Sequence, residues 1–176
     1  MTRVAIIGNA GGGKSTLARD LRDKLGLPLH PVDQLQWLPG WRPMPAEQFA
    51  SAHSEILQQP KWIVDGWGDF AAIEERFHHA DTIIFIDYPL WRHYWWALKR
   101  QFMCLFRPRP DGPPGCPMLP KTWALLKMLW AIDRHALPQL RKLVETQQEL
   151  KRVFHIRTLS DLQSFNREVR RQAAVA

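Results

Sequence analysis

The sequence predicts an α/β fold built on a parallel sheet, and three observations support this prediction. Short apolar runs alternate along the chain with stretches of helical periodicity, as in folds whose parallel strands are joined by helices. A glycine-rich loop joins the first apolar run to the first helical stretch. The 176 residues, 45% hydrophobic and 23% charged, suffice for a substantial core. We therefore expect a single domain over residues 1–176.

Four strands are predicted in the first half of the chain, because short runs of β-branched and other apolar residues are typical of buried strands. They are placed at residues 3–7, 29–32, 62–64 and 82–86.

Helices are predicted between these strands. Leucines four residues apart from Leu17 to Leu25 predict a helix that ends at Gly26. Pro45 predicts the start of a second helix. Residues 33–41 are predicted to form a loop, since Pro39 and Gly40 interrupt any regular structure there.

The second half of the chain begins with a predicted helix over residues 91–105. Residues 106–120 are rich in proline and are predicted to form a short lid, with a rigid connector as the alternative. An apolar stripe over residues 123–137 predicts another helix, which Pro138 restarts or kinks. A fifth strand is predicted at residues 153–156 and a last helix after it.

The glycine-rich loop matches the phosphate-binding pattern G-x-x-x-x-G-K-[ST] in full. Backbone N–H groups of such a loop surround phosphate oxygens, Lys14 adds positive charge at the β- and γ-phosphates, and the Ser15 hydroxyl ligates Mg²⁺. ATP and Mg²⁺ are therefore the predicted cofactors. The predicted cofactor-binding residues in the loop are Gly8, Asn9, Ala10, Gly11, Gly12, Gly13, Lys14, Ser15 and Thr16.

Three aspartates follow predicted strands, at the edge where ligands bind in open α/β sheets. Asp65 is predicted to hold Mg²⁺ through water, together with Ser15. Asp87 occupies the equivalent place after the next strand, and the sequence leaves open which of the two lies nearer the metal. Asp33 is predicted to orient or deprotonate an acceptor hydroxyl. The alternative role for each aspartate is a turn cap.

Arginine neutralises charge in phosphoryl transfer, and three arginines lie at or inside the predicted lid. Arg100, Arg107 and Arg109 are therefore catalytic candidates, with a solvated surface as the alternative. Arg167, Arg170 and Arg171 on the last helix are interpreted as its solvated face, so a nucleic-acid partner has little support.

The chain has nine tryptophans, and apart from Trp62 in a predicted strand they divide into two groups. Trp37, Trp41 and Trp67 fall in predicted loops near the candidate site, where they are expected to cover an acceptor. The others that lie on helical patterns are predicted to pack in the core or between helices, namely Trp91, Trp95, Trp96, Trp123 and Trp130.

Composition excludes several other classes of site. The net charge of +7 suits polyanionic ligands. Cys104 and Cys116 form no metal-binding pattern and no disulfide framework. Because the sequence also has no signal-peptide pattern, we expect a cytoplasmic protein. Charges interrupt the aromatic stretch at 91–106, which is also too short to span a bilayer, so no membrane partner is expected.

These residues resemble the adenylate-kinase-like branch of P-loop kinases and, more narrowly, bacterial DNA topology modulation proteins (FlaR-like). The more specific matching stretches are Asp33–Trp41 and Pro114–Cys116, and the resemblance covers nearly the whole chain. Further matches are Trp62–Gly66, Ile83–Pro89 and Arg109-Pro110.

The resemblance implies a P-loop NTPase three-layer α/β/α sandwich with a five-stranded parallel sheet in the order 2-3-1-4-5. It implies that Asp33 and Asp65 face the acceptor, that residues 107–120 form the lid, and that adenine lies near Thr158. Trp67-Gly68 departs from the Pro-Arg that adenylate kinases usually carry, which argues against an AMP-like acceptor.

The expected activity is transfer of the ATP γ-phosphate to an unidentified small-molecule acceptor. The alternative is a nucleotide-gated protein that binds DNA or a regulatory partner and hydrolyses ATP slowly.

Overall fold

A computed structural model describes residues 1–106, 112–117 and 119–173 of the chain. The strands are β1 Arg3–Gly8, β2 Leu29–Pro31, β3 Trp37–Leu38, β4 Arg42–Pro43, β5 Trp62–Asp65, β6 Thr82–Ile86 and β7 Arg152–Ile156. The α-helices are α1 Lys14–Leu25, α2 Val32–Gln36, α3 Ala46–Leu57, α4 Phe70–His79, α5 Leu90–Met103, α6 Thr122–Ala131, α7 Leu137–Gln147 and α8 Leu159–Ala173. A 3₁₀ turn, Leu119–Lys121, precedes α6, and a π-helical turn, Ile132–Ala136, joins α6 to α7.

The main sheet has five parallel strands in the order β2-β5-β1-β6-β7. Since β3 and β4 form a separate two-stranded sheet, the strands of the main sheet counted alone run 2-3-1-4-5. The predicted fold class is therefore confirmed. The register places Pro31 opposite Asp65 and Asp65 opposite Ile6, so the carboxyl ends of three strands lie side by side.

Helices cover both faces of this sheet. Ala5 and Ile7 of β1 pack into one core with α3, α4 and α7, whereas Val4 and Ile6 pack into another with α1 and α8. Because the central strands are buried on both faces, their sequences are continuous apolar runs.

Residues 33–41 do not form the predicted loop. Val32–Gln36 is a short helix, and residues 37–43 form a β-hairpin of strands β3 and β4. The turn of this hairpin holds Gly40 at φ 79° and Trp41 at φ 62°, so two consecutive residues in the left-handed region reverse the chain between β3 and β4.

The prediction that the helical tryptophans are core residues is wrong for four of the five. The buried face of α5 consists of His93, Ala97 and Gln101, whereas Trp96 is half-buried against Tyr88. Helical spacing shows that two faces differ, but it does not show which one points inward. The four exposed side chains, with their exposed fractions, are Trp91 (63%), Trp95 (64%), Trp123 (77%) and Trp130 (53%).

Candidate functional site

The phosphate-binding loop, residues 8–16, is pressed against the elements beside it. A Cβ atom on Gly8 would lie 2.2 Å from the carbonyl oxygen of Ile86 in β6. A Cβ on Gly11 would lie 2.8 Å from the carbonyl oxygen of His93 in α5, and one on Gly12 would lie 2.9 Å from Cε1 of the same histidine. The glycines are therefore needed for close approach, and the loop is fixed between β6 and α5.

Two buried polar side chains hold the loop in this position. His93 Nδ1 donates to the carbonyl oxygen of Ala10 over 2.8 Å. Asn9 Nδ2 donates to the carbonyl oxygen of Leu129 in α6 over 2.9 Å, and Asn9 Oδ1 accepts from the Ala10 N–H. Sequence reasoning missed His93 because it lies far along the chain, in a helix with no polar motif.

Burial lowers the pKa of His93, and the nearby charge of Lys14 lowers it further, against the opposing effect of the Ala10 carbonyl. Since a carbonyl oxygen only accepts, Nδ1 carries a proton. The Tyr88 backbone and the charge of Asp133 also raise the pKa, but burial is the largest effect and the net shift is downward. The neutral imidazole is therefore the favoured form beneath the loop.

The residues predicted to bind phosphate and metal follow at the start of α1. Lys14 Nζ donates to the carbonyl oxygen of Asn9 over 2.9 Å, which brings the ammonium group back across the loop. Ser15 is half-buried and Thr16 is exposed in the first helical turn. The N–H groups and dipole of a helix N-terminus attract anions.

Asp65 ends β5 beside the phosphate-binding loop and is buried. Beneath it lies Arg76 of α4, which is fully buried and donates to the carbonyl oxygens of Gly66 (2.8 Å) and Trp67 (3.1 Å) and to His53 Nε2 (3.3 Å). Burial lowers the pKa of Arg76 to about 10, although the charge of Asp65 opposes this. Arg76 therefore remains a cation at neutral pH and fixes the chain that follows Asp65.

Sequence reasoning also missed Arg76 and its neighbour His53. Burial lowers the pKa of His53, and the charge of Arg76 lowers it further, while Glu75 raises it. His53 Nδ1 lies 3.2 Å from Glu75 Oε2. In the sequence, Arg76 looks like an ordinary basic residue near a helix end, and only its burial reveals that it supports the site.

Asp33 lies in the first turn of α2, two residues after the Pro31 that pairs with Asp65. The segment after β5 touches this helix, because a Cβ on Gly66 would lie 2.8 Å from Cβ of Val32. The structure thus brings the segments that carry Asp33 and Asp65 into contact.

The hairpin that follows α2 is fixed by residues 112–117, which we name the docking segment. Gly40 N–H donates to the Gly115 carbonyl oxygen over 3.0 Å, and Trp41 Nε1 donates to that of Pro117 over 2.9 Å. Cys116 Sγ donates to the Leu38 carbonyl oxygen over 3.3 Å and accepts from the Trp41 N–H over 3.4 Å. Part of the predicted lid thus contacts the predicted acceptor side.

The tryptophans predicted near the acceptor are all half-buried here. Trp37 and Trp41 meet edge to face with ring centroids 5.7 Å apart, and Trp67 packs against the core and meets Phe70 edge to face.

Asp87 is engaged by other residues. Arg141 donates to both of its carboxylate oxygens over 2.8 and 2.9 Å, and His155 Nε2 donates to Oδ2 over 2.9 Å. Burial opposes ionisation, but these hydrogen bonds outweigh it and lower the pKa of Asp87. These hydrogen bonds join β6, β7 and α7 through Asp87. Whether Asp65 or Asp87 lies nearer the metal is not tested by these contacts.

The predicted arginines and Thr158 have different surroundings. Arg100 is half-buried in the last turn of α5, three residues after Ala97, whose Cβ faces Gly11. Arg107 and Arg109 lie outside the described residues. Thr158 is exposed, and its hydroxyl accepts from the Asp161 N–H while Asp161 accepts from the Thr158 N–H, a capping box at the start of α8. Its predicted contact with adenine stays a prediction.

The loop fits a nucleotide phosphate, since its glycines leave no side chain between the backbone and α5 and Lys14 lies across it. No cluster of three or more His, Cys, Asp or Glu side chains suited to a metal exists among the residues described. A Mg²⁺ held by one hydroxyl, one carboxylate and substrate phosphates needs no such cluster. Ser15 and Asp65 supply those two ligand types.

Comparison with known proteins gives fold-level likenesses only. No protein-family model matches the chain, and neither does any curated protein. Among solved structures, shikimate kinase from Aquifex aeolicus is similar at 18% identity, over 74% of this chain and 80% of that one, with a TM-score of 0.45. Deoxyadenosine kinase from M. mycoides is similar at 14% identity, over 96% of this chain and 99% of that one, with a TM-score of 0.46. A gluconokinase from Sinorhizobium meliloti is similar at 13% identity, over 78% of this chain and 97% of that one, with a TM-score of 0.39.

Proposed function

We propose that this chain is an ATP-dependent phosphotransferase that moves the γ-phosphoryl group onto a hydroxyl of a small-molecule acceptor. One observation carries the proposal: the phosphate-binding loop, Asp65 and Asp33 follow three adjacent strand ends at one edge of the sheet. Ligands of open α/β sheets bind at this edge. The motif stretches Asp33–Trp41 and Pro114–Cys116 further support membership of the FlaR-like group.

On the nucleotide side, backbone N–H groups of residues 8–16 and the ammonium group of Lys14 bind the phosphates. Bound ATP with Mg²⁺ supplies the transferable phosphoryl group. Ser15 and Asp65 hold the metal, and Arg76 keeps the chain after Asp65 in place from below. Fixed positive charge and donors at the transferring group are the main source of rate in this reaction class.

On the acceptor side, Asp33 accepts the proton of the attacking hydroxyl. The hairpin and Trp67 form the apolar surroundings of the acceptor, and the docking segment holds the hairpin in place. Arg100, with Arg107 and Arg109 of the lid, neutralises charge on the transferring group. Because aromatic rings and one carboxylate line this side, the acceptor class that fits is a compact hydroxyl compound.

The test is ADP release from Mg·ATP, measured across nucleosides, nucleoside monophosphates, sugars and small hydroxy acids. The active chain should be stimulated by one acceptor class, and Lys14→Ala should lower the stimulated rate by about 100-fold or more. Lys24→Ala, in the same helix but away from the loop, is the matched control and should keep the rate. Turnover that no acceptor class stimulates, with ATP still bound, would refute the phosphotransferase.

A further inference from the structure

Helix α5 presents its apolar side chains outward. Its buried stripe is short or polar, consisting of His93, Ala97 and Gln101. Its outer stripe carries Trp91 (63% exposed), Trp95 (64%), Leu98 (48%) and Phe102 (64%), at spacings of four, three and four residues. A surface helix normally has the reverse arrangement, with the apolar stripe facing the core.

The exposed apolar side chains are concentrated in one part of the chain. Thirteen large hydrophobic residues are exposed among the described residues, and eleven of them fall between Trp91 and Trp130, leaving only Leu150 and Leu159 elsewhere. On α6, Trp123 (77%) and Trp130 (53%) share a stripe with the exposed Lys127. Because Ala97 of α5 packs in one cluster with Leu125 and Leu129 of α6, the two helices are neighbours. Isolated exposed residues need no explanation, but exposed apolar side chains concentrated on two neighbouring helices are typical of an interaction surface.

The charge of this segment identifies the kind of partner. Between Asp87 and Asp133 the sequence has seven Lys or Arg residues and one acidic residue, Asp111. The Arg92 guanidinium lies over the rings of Tyr88 and Trp91, 5.2 Å from each centroid, so cation and aromatic surface are intermixed. Tryptophan with Lys and Arg, in a helix lacking acidic residues, is typical of helices that lie in the headgroup region of anionic bilayers.

Two other occupants fit this surface less well. A second copy bound through the same face would bring like charges together, since a two-fold interface pairs a patch with itself. Single-stranded nucleic acid stacks on aromatic rings, but this segment also exposes the aliphatic side chains of Leu98, Met103 and Leu105. Aliphatic side chains have no stacking role and gain from insertion among lipid chains.

The expectation that there is no membrane partner rests on the length needed to span a bilayer, and it does not bear on binding to the bilayer surface. We propose that the outer face of α5, with Trp123 and Trp130 of α6, binds an anionic membrane surface. The helices lie on the bilayer and do not cross it, because no helix in the described part of the chain has the length and apolar character for a span. Lys99 and Lys127, both exposed, are placed to meet lipid phosphates. This surface lies on the side of α5 away from His93 and Ala97, which pack against the phosphate-binding loop, and its test does not depend on catalysis.

The experiment uses the full chain with vesicles of phosphatidylcholine alone or mixed with phosphatidylglycerol, and it measures co-sedimentation and the quenching of tryptophan fluorescence by brominated lipid. We expect about tenfold or greater preference for the anionic vesicles, weakened by salt. Trp95→Ser with Phe102→Ser should lower binding by about tenfold or more. Leu150→Ser, which removes a side chain 75% exposed outside the segment, is the matched control and should bind as the parent does.

Circular dichroism on each variant establishes that it is folded. Equal sedimentation with and without anionic vesicles would overturn the proposal, as would binding that the double variant leaves unchanged. Analytical ultracentrifugation distinguishes the second copy: a parent dimer that the double variant converts to a monomer, without vesicle binding, assigns the face to self-association. Salt-dependent binding of single-stranded DNA without vesicle binding would likewise assign it to nucleic acid.

Discussion

The proposed nucleotide side and the proposed acceptor side of the sheet edge are stabilised by different means. On the nucleotide side, the backbone of the phosphate-binding loop touches the backbone of β6 at Gly8 and that of α5 at Gly11, with buried His93 beneath. On the acceptor side, a partly exposed hairpin is held by a few hydrogen bonds to the docking segment and by the Cys116 thiol.

This difference has a consequence for the two ligands. Backbone contacts allow almost no side chain at the nucleotide side, so the phosphate site is generic and rigid. Side chains take part in the contacts at the proposed acceptor side, so under the proposed function we expect exchanges at residues such as Trp41 and Trp67 to change acceptor specificity.

The largest effect is expected at Arg76, which supports the chain between the two sides. Arg76→Met removes a buried cation and three hydrogen bonds. The Gly66 and Trp67 carbonyl oxygens lose their guanidinium donor, and buried Asp65 loses a nearby positive charge. The free energy of unfolding should fall by about 3–5 kcal/mol, measured by urea denaturation. Arg171→Met, at an exposed position of α8, is the control and should change it by less than about 0.5 kcal/mol. A loss under about 1 kcal/mol for Arg76→Met would contradict the supporting role.

The rigidity of the nucleotide side is tested at Gly12. A Cβ there would lie 2.9 Å from Cε1 of His93 and 3.2 Å from Cγ2 of Ile86, so Gly12→Ala must displace either the loop or the His93 ring that supports it. We expect a cost of about 1–3 kcal/mol in stability and an ATP affinity at least about tenfold weaker, measured by calorimetry.

Gly40→Ala is the matched variant on the acceptor side, since Gly40 has open space around it but a φ of 79°. It should cost about 1 kcal/mol through backbone strain and leave ATP affinity unchanged. If both variants weakened ATP equally, the two sides would not be independent.

The pH dependence of stability should report the buried imidazole beneath the loop. The pKa of His93 is lower folded than unfolded, so the unfolded chain binds more protons between those two values. The stabilisation is therefore complete above about pH 6.5 and is lost as pH falls towards the folded pKa, by up to about 1.4 kcal/mol per pH unit.

His93→Gln, whose amide retains a donor for Ala10, should reduce this slope in urea denaturation between pH 7 and 5. His30 and His53 have pKa values lowered by burial as well, so part of the slope should remain. His78→Gln replaces an exposed imidazole and serves as the control. An unchanged slope in His93→Gln would show that His93 is not the group responsible.

The smallest effect is expected where the docking segment meets the hairpin. Cys116→Ala removes the thiol that joins Leu38 and Trp41, at a cost of about 0.5–1 kcal/mol. It should raise KM for the acceptor and leave KM for ATP unchanged, in steady-state assays. Cys104→Ala, at the end of α5, is the control. A rise in KM for ATP instead would place the docking segment on the nucleotide side.

Much of the fold could be predicted because its signals are local. The five strands of the main sheet, the strand–loop–helix at residues 3–25 and the aspartates at strand ends all appear as short patterns, and the structure has them where they were predicted. The hairpin at 37–43 was missed because two-residue strands around Pro39 and Gly40 have too few residues for a period to show.

The sequence by itself determined the phosphate-binding loop and the sheet that places it, since a buried parallel strand and a glycine turn are each encoded in neighbouring residues. Only the tertiary structure decided which residues support the site from below and which face of each helix points towards the core. Arg76 became a buried cation, Asp87 was paired with Arg141 across 54 residues, and the tryptophans of α5 were turned outward. These outcomes depend on which elements pack against each other, and a local pattern of residue types does not contain that information.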